Sequence, residues 1–311
     1  MAPGARVAVF GPTPLLSVTI ETKGPEGGDD IHLHAAGQGV WVARMAAELG
    51  ADPVLCGFTG GETGLVLRRI LETLPIELRL VETATPSGAY LHDRRSGERE
   101  PVAHCLADPP TRHEIDDLFS IACSTALECD VLAVCGAFPG EALPLEVYGN
   151  LVSDVRANGT PVLVDLSPPR LDSALEGSPD VVKINDWELA AFVYGPVDTP
   201  ERIRAATERL LAKGAKAAIV TRAAEPALIV RDDGRAWELT PPHFDRGSRE
   251  GCGDSMLGGL AAAIAAGHEW EEALRIGAAA GAANFLRHGL GSADRQVVED
   301  LVPRVELRQL G

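Results

Sequence analysis

The stretch Arg249 to Gly267, REGCGDSMLGGLAAAIAAG, decides how this chain folds. Gly251 and Gly253 flank Cys252, and Asp254 follows at once. From Ser255 the run is almost wholly small or apolar, with no proline and no acidic or basic charge before Glu269. A helix apolar on every face belongs inside a protein. Its start, released by glycine, presents unpaired N–H groups at the positive end of the helix dipole. Such an end attracts an anion, typically a phosphate. A carboxylate beside it would repel that phosphate, so Asp254 needs a further purpose: taking the proton of a hydroxyl that then attacks phosphorus. The competing reading makes Asp254 an ordinary first-turn residue and the glycines a simple turn. A Walker A loop is excluded, because Gly-Asp-Ser stands where Gly-Lys-Ser/Thr is required. A dinucleotide fingerprint is excluded by Met256 at its third glycine and by the polar DRGSRE where a strand must precede.

The rest of the 311 residues supplies the setting. Lys and Arg number 28 against 45 Asp and Glu, a net charge of −17 that argues against nucleic-acid or membrane-surface partners. An anionic substrate must therefore be held by local cations, helix ends or a metal. The opening MAPGARVAVFG has one basic residue and a short apolar run ended by a turn, so no signal peptide is expected. No apolar run is long enough for a membrane span. Six cysteines without a C-x-x-C pair read as free thiols of a cytoplasmic protein.

Short apolar strands are expected at Arg6–Phe10, Pro53–Phe58, Val131–Cys135, Pro161–Asp165, Val181–Ile184, Lys216–Thr221, Ala227–Arg231 and Ala236–Leu239. Helices are expected at Val40–Leu49, Leu65–Leu74, Arg112–Leu127, Leu145–Asn158, Glu201–Ala212 and Trp270–Arg287, with a last one from Asp294 closing the chain. This alternation is the pattern of an α/β, Rossmann-like parallel sheet with helices on both faces. Four half-polar strands, Val18–Thr22, Ile31–Ala35, Gly88–Asp93 and Glu98–His104, stand apart as a small lid. Without repeats or linkers, residues 1–311 read as one domain, with lid strands from about 17–35 and 87–104.

Ligands of open parallel sheets sit outside the carboxyl ends of the strands. There Asn185-Asp186-Trp187-Glu188 offers oxygen ligands suited to Mg²⁺, unless it is only a helix start with a favourable acid. Lys183 reads as a phosphate contact or a surface lysine. Gly37-Gln38-Gly39 lets a backbone approach a ligand, or merely turns into a helix. His32, His34, His92 and His104 fall on the lid, where packing or substrate contact outranks zinc binding because no acid or cysteine completes a site. Cys252 matters for its N–H, and Arg94, Arg95 and Arg99 form a hairpin tip.

Together, G-C-G-D before a buried helix, N-x-x-E after an earlier strand, and AGQGVWVARMAAELG near the N-terminus resemble the ribokinase/PfkB carbohydrate kinases. The resemblance spans nearly the whole chain. The opening VAVFGPTPLLSVTIE and the closing GAAAGAANFLRHGLGS resemble the 1-phosphofructokinase and tagatose-6-phosphate kinase branch. It implies a ribokinase-like fold with a β-strand lid that makes a homodimer, and transfer of the ATP γ-phosphoryl group to a sugar hydroxyl. It implies Asp254 as base and an anion hole from the N–H groups of Gly251, Cys252, Gly253 and Asp254. It further implies Asn185 and Glu188 at Mg²⁺, and Lys183, Thr221, Ser248, Arg249 and Asn284 along the nucleotide. The carbohydrate would meet Ser17, Gly37, Gln38, Gly39 and Trp41.

The departures fall on the acceptor side. Thr13-Pro14-Leu15-Leu16-Ser17 replaces N-P-A-L-D and its sugar-gripping aspartate. Gln38 and Trp41 stand where a lysine or glycine and a sugar-binding asparagine are usual. Thr85-Pro86-Ser87-Gly88 replaces T-R-x-N, and Cys135-Gly136-Ala137-Phe138-Pro139 loses the serine of S-G-S-L-P. On the nucleotide side Thr221-Arg222-Ala223 lacks the usual glycine, and Arg249 stands in for a threonine. The expectation is an ATP-dependent sugar kinase with an altered acceptor site. The alternatives are an ordinary sugar-phosphate kinase of that branch and a non-catalytic binding protein of the same fold.

Overall fold

The structure is a computed structural model that describes residues 4–24, 27–136, 143–223, 225–287 and 291–310. The Ala137-Phe138-Pro139 loop and positions 288–290 of the closing motif lie outside the described residues. The chain runs β1 (Arg6–Phe10), β2 (Leu15–Thr22), β3 (Asp29–Ala36), α1 (Gln38–Glu48), β4 (Asp52–Gly60) and α2 (Gly61–Leu71). It continues through β5 (Glu77–Thr83), β6 (Ala89–Asp93), β7 (Glu100–Cys105), α3 (Arg112–Leu127), β8 (Val131–Cys135), α4 (Leu145–Ala157) and β9 (Val162–Asp165). Next come α5 (Arg170–Glu176), β10 (Val181–Asn185), α6 (Asp186–Val193), α7 (Pro200–Ala212), β11 (Ala217–Arg222), β12 (Glu225–Arg231) and β13 (Ala236–Thr240). The chain then forms α8 (Cys252–Ala265), α9 (Trp270–Phe285), α10 (Arg295–Leu301) and β14 (Glu306–Leu310).

The large sheet has the order β14-β13-β12-β11-β10-β9-β8-β1-β4-β5, parallel from β11 to β5 and antiparallel at the β12–β14 end. Its central strands are buried on both faces, which is why they read as unbroken apolar runs. Alternation sorts their side chains. Val7, Val9, Val131, Ala133, Leu163 and Val181 join one core with α1, α8 and α9. Ala8, Phe10, Leu132, Val134, Val164 and Val182 join the other, with α3, α4 and α7.

Three elements escaped the sequence pattern. β5 and β14 are edge strands with polar alternation, and short α5 lacks room for a period. The chain therefore closes on a strand against β13, not on the helix after Asp294.

The apolar run beyond Asp254 is α8, buried throughout Ser255–Ala263 as its composition requires. Two glycines let it wedge between neighbours. A Cβ on Gly258 would lie 2.5 Å from the Val42 carbonyl of α1, and one on Gly259 would lie 2.7 Å from Ala280 Cβ of α9.

The small sheet has the order β3-β2-β6-β7, with β2 and β6 parallel at its centre. One face carries Ser17, Thr19, His32, His34, Tyr90, His92 and His104; the other carries Val18, Ile20, Ile31, Leu33 and Leu91. Among the described residues no helix is long and apolar enough to cross a membrane. All six cysteines are free.

Gly258→Ala, which drives a methyl group into the α1 backbone, is expected to lower stability by about 1–3 kcal/mol. Chemical denaturation checks this, with unchanged secondary structure by circular dichroism.

Candidate active site

The carboxyl ends of β8, β9 and β10 lie side by side, and their register aligns Cys135, Asp165 and Lys183. All three share the sheet face covered by α8, because Asp165 follows Leu163 and Lys183 follows Val181 in the strand alternation. Lys183 Nζ donates to Asp165 Oδ2 at 2.6 Å, with both side chains almost fully buried. Burial works against the ammonium, yet the charges of Asp165 and Asp254 outweigh it and raise the Lys183 pKa. Removing one partner of such a pair costs roughly 3–5 kcal/mol.

α8 starts directly above this pair. Gly251 caps it with φ +74°, a left-handed conformation that glycine adopts without strain. A Cβ on Gly253 would stand 2.9 Å from Lys183 Nζ, so the ammonium packs against the helix start. Cys252 N–H turns back to the Arg249 carbonyl at 3.3 Å. Of the four expected anion-hole donors, those of Gly251, Gly253 and Asp254 therefore remain without an acceptor among the described residues.

Asp254 is half-buried at the helix start, and desolvation first, then the Asp165 charge, push its carboxyl up to about 7. Lys183 and a Gln38 hydrogen bond pull the other way. The result is a carboxyl whose proton affinity is matched to neutral pH, the condition for efficient general-base action. Gln38, read from the sequence as a sugar contact, is also a strut. Its Oε1 accepts from Gly136 N at 2.8 Å, and its Nε2 donates to the Asp165 carbonyl at 3.3 Å. The flanking glycines serve packing: Gly37 caps α1 with φ 110°, and a Cβ on Gly39 would lie 2.5 Å from Gly11 Cα. Their close approach is backbone to backbone. Half-buried Trp41 lies against the turn at Gly291, itself beside Gly251.

Asn185 and Glu188 cap α6 reciprocally. Asn185 Oδ1 accepts from Glu188 N at 2.8 Å, and Glu188 Oε2 accepts from Asn185 N at 3.2 Å. Both readings of N-x-x-E thus coincide in one place, a helix cap at the carboxyl edge of the sheet. Burial and the Asp165 charge raise the Glu188 pKa. A divalent cation would relieve this crowding of Asp165, Glu188 and Asp254, and Mg²⁺ needs only one or two protein carboxylates beside water and phosphate. Among the described residues no cluster of three His, Cys, Asp or Glu side chains is arranged as a metal cage.

Thr221 sits beside Asn185 on β11 in register, and Arg249 is exposed. Ser248 is tied through its N–H to the Phe285 carbonyl at 2.9 Å. Asn284, expected along the nucleotide, is buried; its Nδ2 donates to the Glu250 carbonyl at 2.8 Å and its Oδ1 accepts from Ser292 N. It clamps the loop that opens α8.

The lid reaches the same loop. Arg99 pairs with Glu250 and lies 3.4 Å from His92 Nδ1. The polar lid face therefore looks towards the α8 start, with Ser17, Thr19 and His92 buried on it. Ser87 anchors the lid by accepting from Gly60 N at 3.1 Å. Asp165 and the Arg99–Glu250 link were not singled out from sequence. The only signal for Asp165 was an aspartate ending an apolar strand; nothing linked residues 99 and 250.

This geometry agrees with comparison to known proteins. The pfkB family carbohydrate kinase model matches residues 6–296. The ATP-dependent 6-phosphofructokinase isozyme 2 of Escherichia coli is 30% identical, covering 81% of this chain and 82% of its own. The 1-phosphofructokinase of Haemophilus influenzae is 24% identical, covering 94% of this chain and 90% of its own. The crystal structure of phosphofructokinase-2 from Escherichia coli in complex with potassium superposes with a TM-score of 0.84 at 27% identity, covering 96% and 98% of the two chains. The chain belongs to the pfkB family of carbohydrate kinases, and its activity is ATP-dependent phosphorylation of a sugar-type hydroxyl.

With Asp254 as the base, kcat is expected to fall as pH drops through about 7 and its carboxylate is protonated. Asp254→Asn is expected to lose about 10²–10⁴ in kcat. The sign for stability is opposite. The folded state holds this proton more tightly than the unfolded chain, so wild-type stability is lost as pH rises from about 4 to about 7. Asp254→Asn, spared the half-buried charge, should melt above wild type by a margin that grows over that window and levels off beyond it. Thermal melts across the pH range check this.

Proposed function

We propose that Asp254 removes the proton of an acceptor hydroxyl while the α8 start receives the transferring γ-phosphoryl group of ATP. What carries the reading is a half-buried carboxyl with proton affinity near neutrality, set at the positive end of a helix buried from Ser255 onward. The free N–H groups of Gly251, Gly253 and Asp254 oppose the charge that spreads over the phosphoryl oxygens. The Lys183 ammonium, packed on Gly253, adds a positive charge that needs no reorganisation. Glu188 and Asn185 would hold Mg²⁺, which when bound neutralises charge on the phosphates. Thr221, Ser248 and Arg249 line the nucleotide side.

The acceptor lies beneath the lid, between Ser17, Trp41 and the Tyr90–His92–His104 face. We infer that it is an uncharged sugar or polyol. The relatives' names specify fructose phosphates, but the nearby lid cations of this chain are already committed. Arg94 faces Glu21, Arg95 pairs with Asp93 and Asp29, and Arg99 pairs with Glu250. Burial and neighbouring positive charge lower the pKa of both His34 and His92, favouring neutral imidazoles. Neutral imidazole and phenol edges suit hydroxyl groups better than a phosphate dianion. The residues act as one domain with a lid, in a cytoplasm whose reducing conditions suit six free thiols.

We further infer that a second copy of the chain covers the outer lid face. Ile31 is 59% exposed and Leu33 46%, alongside Val18, Ile20 and Leu91 on the same face. The lid dimer implied by the family resemblance would bury this patch.

Acceptor-dependent ADP release with MgATP should appear with a free hexose, pentose or polyol and vanish in Asp254→Asn. Efficient turnover of fructose-1-phosphate instead would overturn the acceptor class, and silence across the panel with ATP still bound would overturn catalysis. Leu33→Glu should convert a dimer into a monomer by light scattering; an unchanged mass would place the interface elsewhere.

A further inference from the structure

The Asp165–Lys183 pair is almost fully buried, and a hydrophobic pair of similar volume often serves a fold as well as a buried ion pair. Its position gives it another use. Lys183 Nζ rests where a side chain on residue 253 would be, so lysine and glycine fit one another at the helix start. The lysine stem is flexible, and the ammonium also interacts with Asp254 and Glu188. Among the described residues only Asp165 holds it by a direct hydrogen bond, at 2.6 Å. Asp165 is itself fixed from behind, its carbonyl accepting from Gln38 Nε2, while Gln38 Oε1 accepts from Gly136 N.

We propose that Asp165 is a positioning residue for phosphoryl transfer: it holds the Lys183 ammonium against Gly253, beside the transferring group, and keeps it from swinging onto Asp254. The proposal rests on the reading of Asp254 as the base. Without Asp165, the charges left to draw the ammonium are Asp254 and then Glu188, and an ion pair with Asp254 both displaces the cation and occupies the carboxylate that must take the proton.

A double-mutant cycle over Asp165→Asn and Lys183→Met tests this, measuring kcat, acceptor KM, MgATP affinity by displacement of a fluorescent ATP analogue, and melting temperature. Asp165→Asn should lower kcat by about 10²-fold, as expected for a misplaced group in an otherwise intact site. Acceptor KM and MgATP affinity should hold. In the Lys183→Met background the same change should cost no further activity, because its effect runs through the ammonium. The charge-free double variant should recover the melting temperature but not kcat. Wild-type kcat in Asp165→Asn, or an undiminished loss in the Lys183→Met background, overturns the proposal. Should neither single variant fold, the double variant decides: wild-type kcat overturns the proposal, and lost kcat at intact MgATP affinity upholds it. A wild-type protein that phosphorylates nothing would fell the proposed function instead.

Discussion

The structure depends on how three carboxyl groups and one ammonium are held together at the edge of a sheet, Asp165 and Lys183 buried, Glu188 and Asp254 half-buried. The three carboxyls crowd together, and each negative charge raises the energy of the others. Lys183 and the positive end of α8 offset this crowding without abolishing it. The remaining strain sits on Asp254 as proton affinity near neutrality, which is the property a base for phosphoryl transfer needs. The same imbalance leaves a place for a cation brought by the nucleotide. Stability and chemistry are opposed here, since the protein would be more stable with a neutral residue at 254.

That arrangement exists only because helices approach one another closely. Gly258 and Gly259 let α8 sink between α1 and α9 until its first turn stands over β9 and β10. Gly39 brings α1 down onto Gly11, which carries Gln38 within reach of Gly136 and Asp165. Small residues thus allow close packing, and the packing sets the polar groups. A site supported by β-strand ends and helix starts holds tighter geometry than one built on loops.

The lid follows different physics. Its strands alternate polar and apolar residues because both faces have work: imidazole and phenol edges towards the α8 start, branched aliphatics outward. Arginines at its tip are bound in ion pairs, one of them to Glu250 immediately before the helix start. Acceptor recognition and the position of the catalytic loop are therefore mechanically joined.

By itself, the sequence determined the alternation of buried strands and helices, the internal helix after Asp254 and the strands of the small sheet. Each of these is encoded locally, in apolar runs, periodicity and glycine placement. β5, β14 and α5 left little local trace, because edge strands and single-turn helices owe their existence to neighbours rather than to a pattern. Only the tertiary structure decided that Asp165 meets Lys183, that Gln38 braces them, that Asn284 clamps the loop, and that Arg99 reaches Glu250. Those contacts join residues 18 to 151 positions apart. The physical reason is that a buried charge chooses its partner by strand register and helix approach, quantities that are set when the sheet closes and that no single stretch of chain contains.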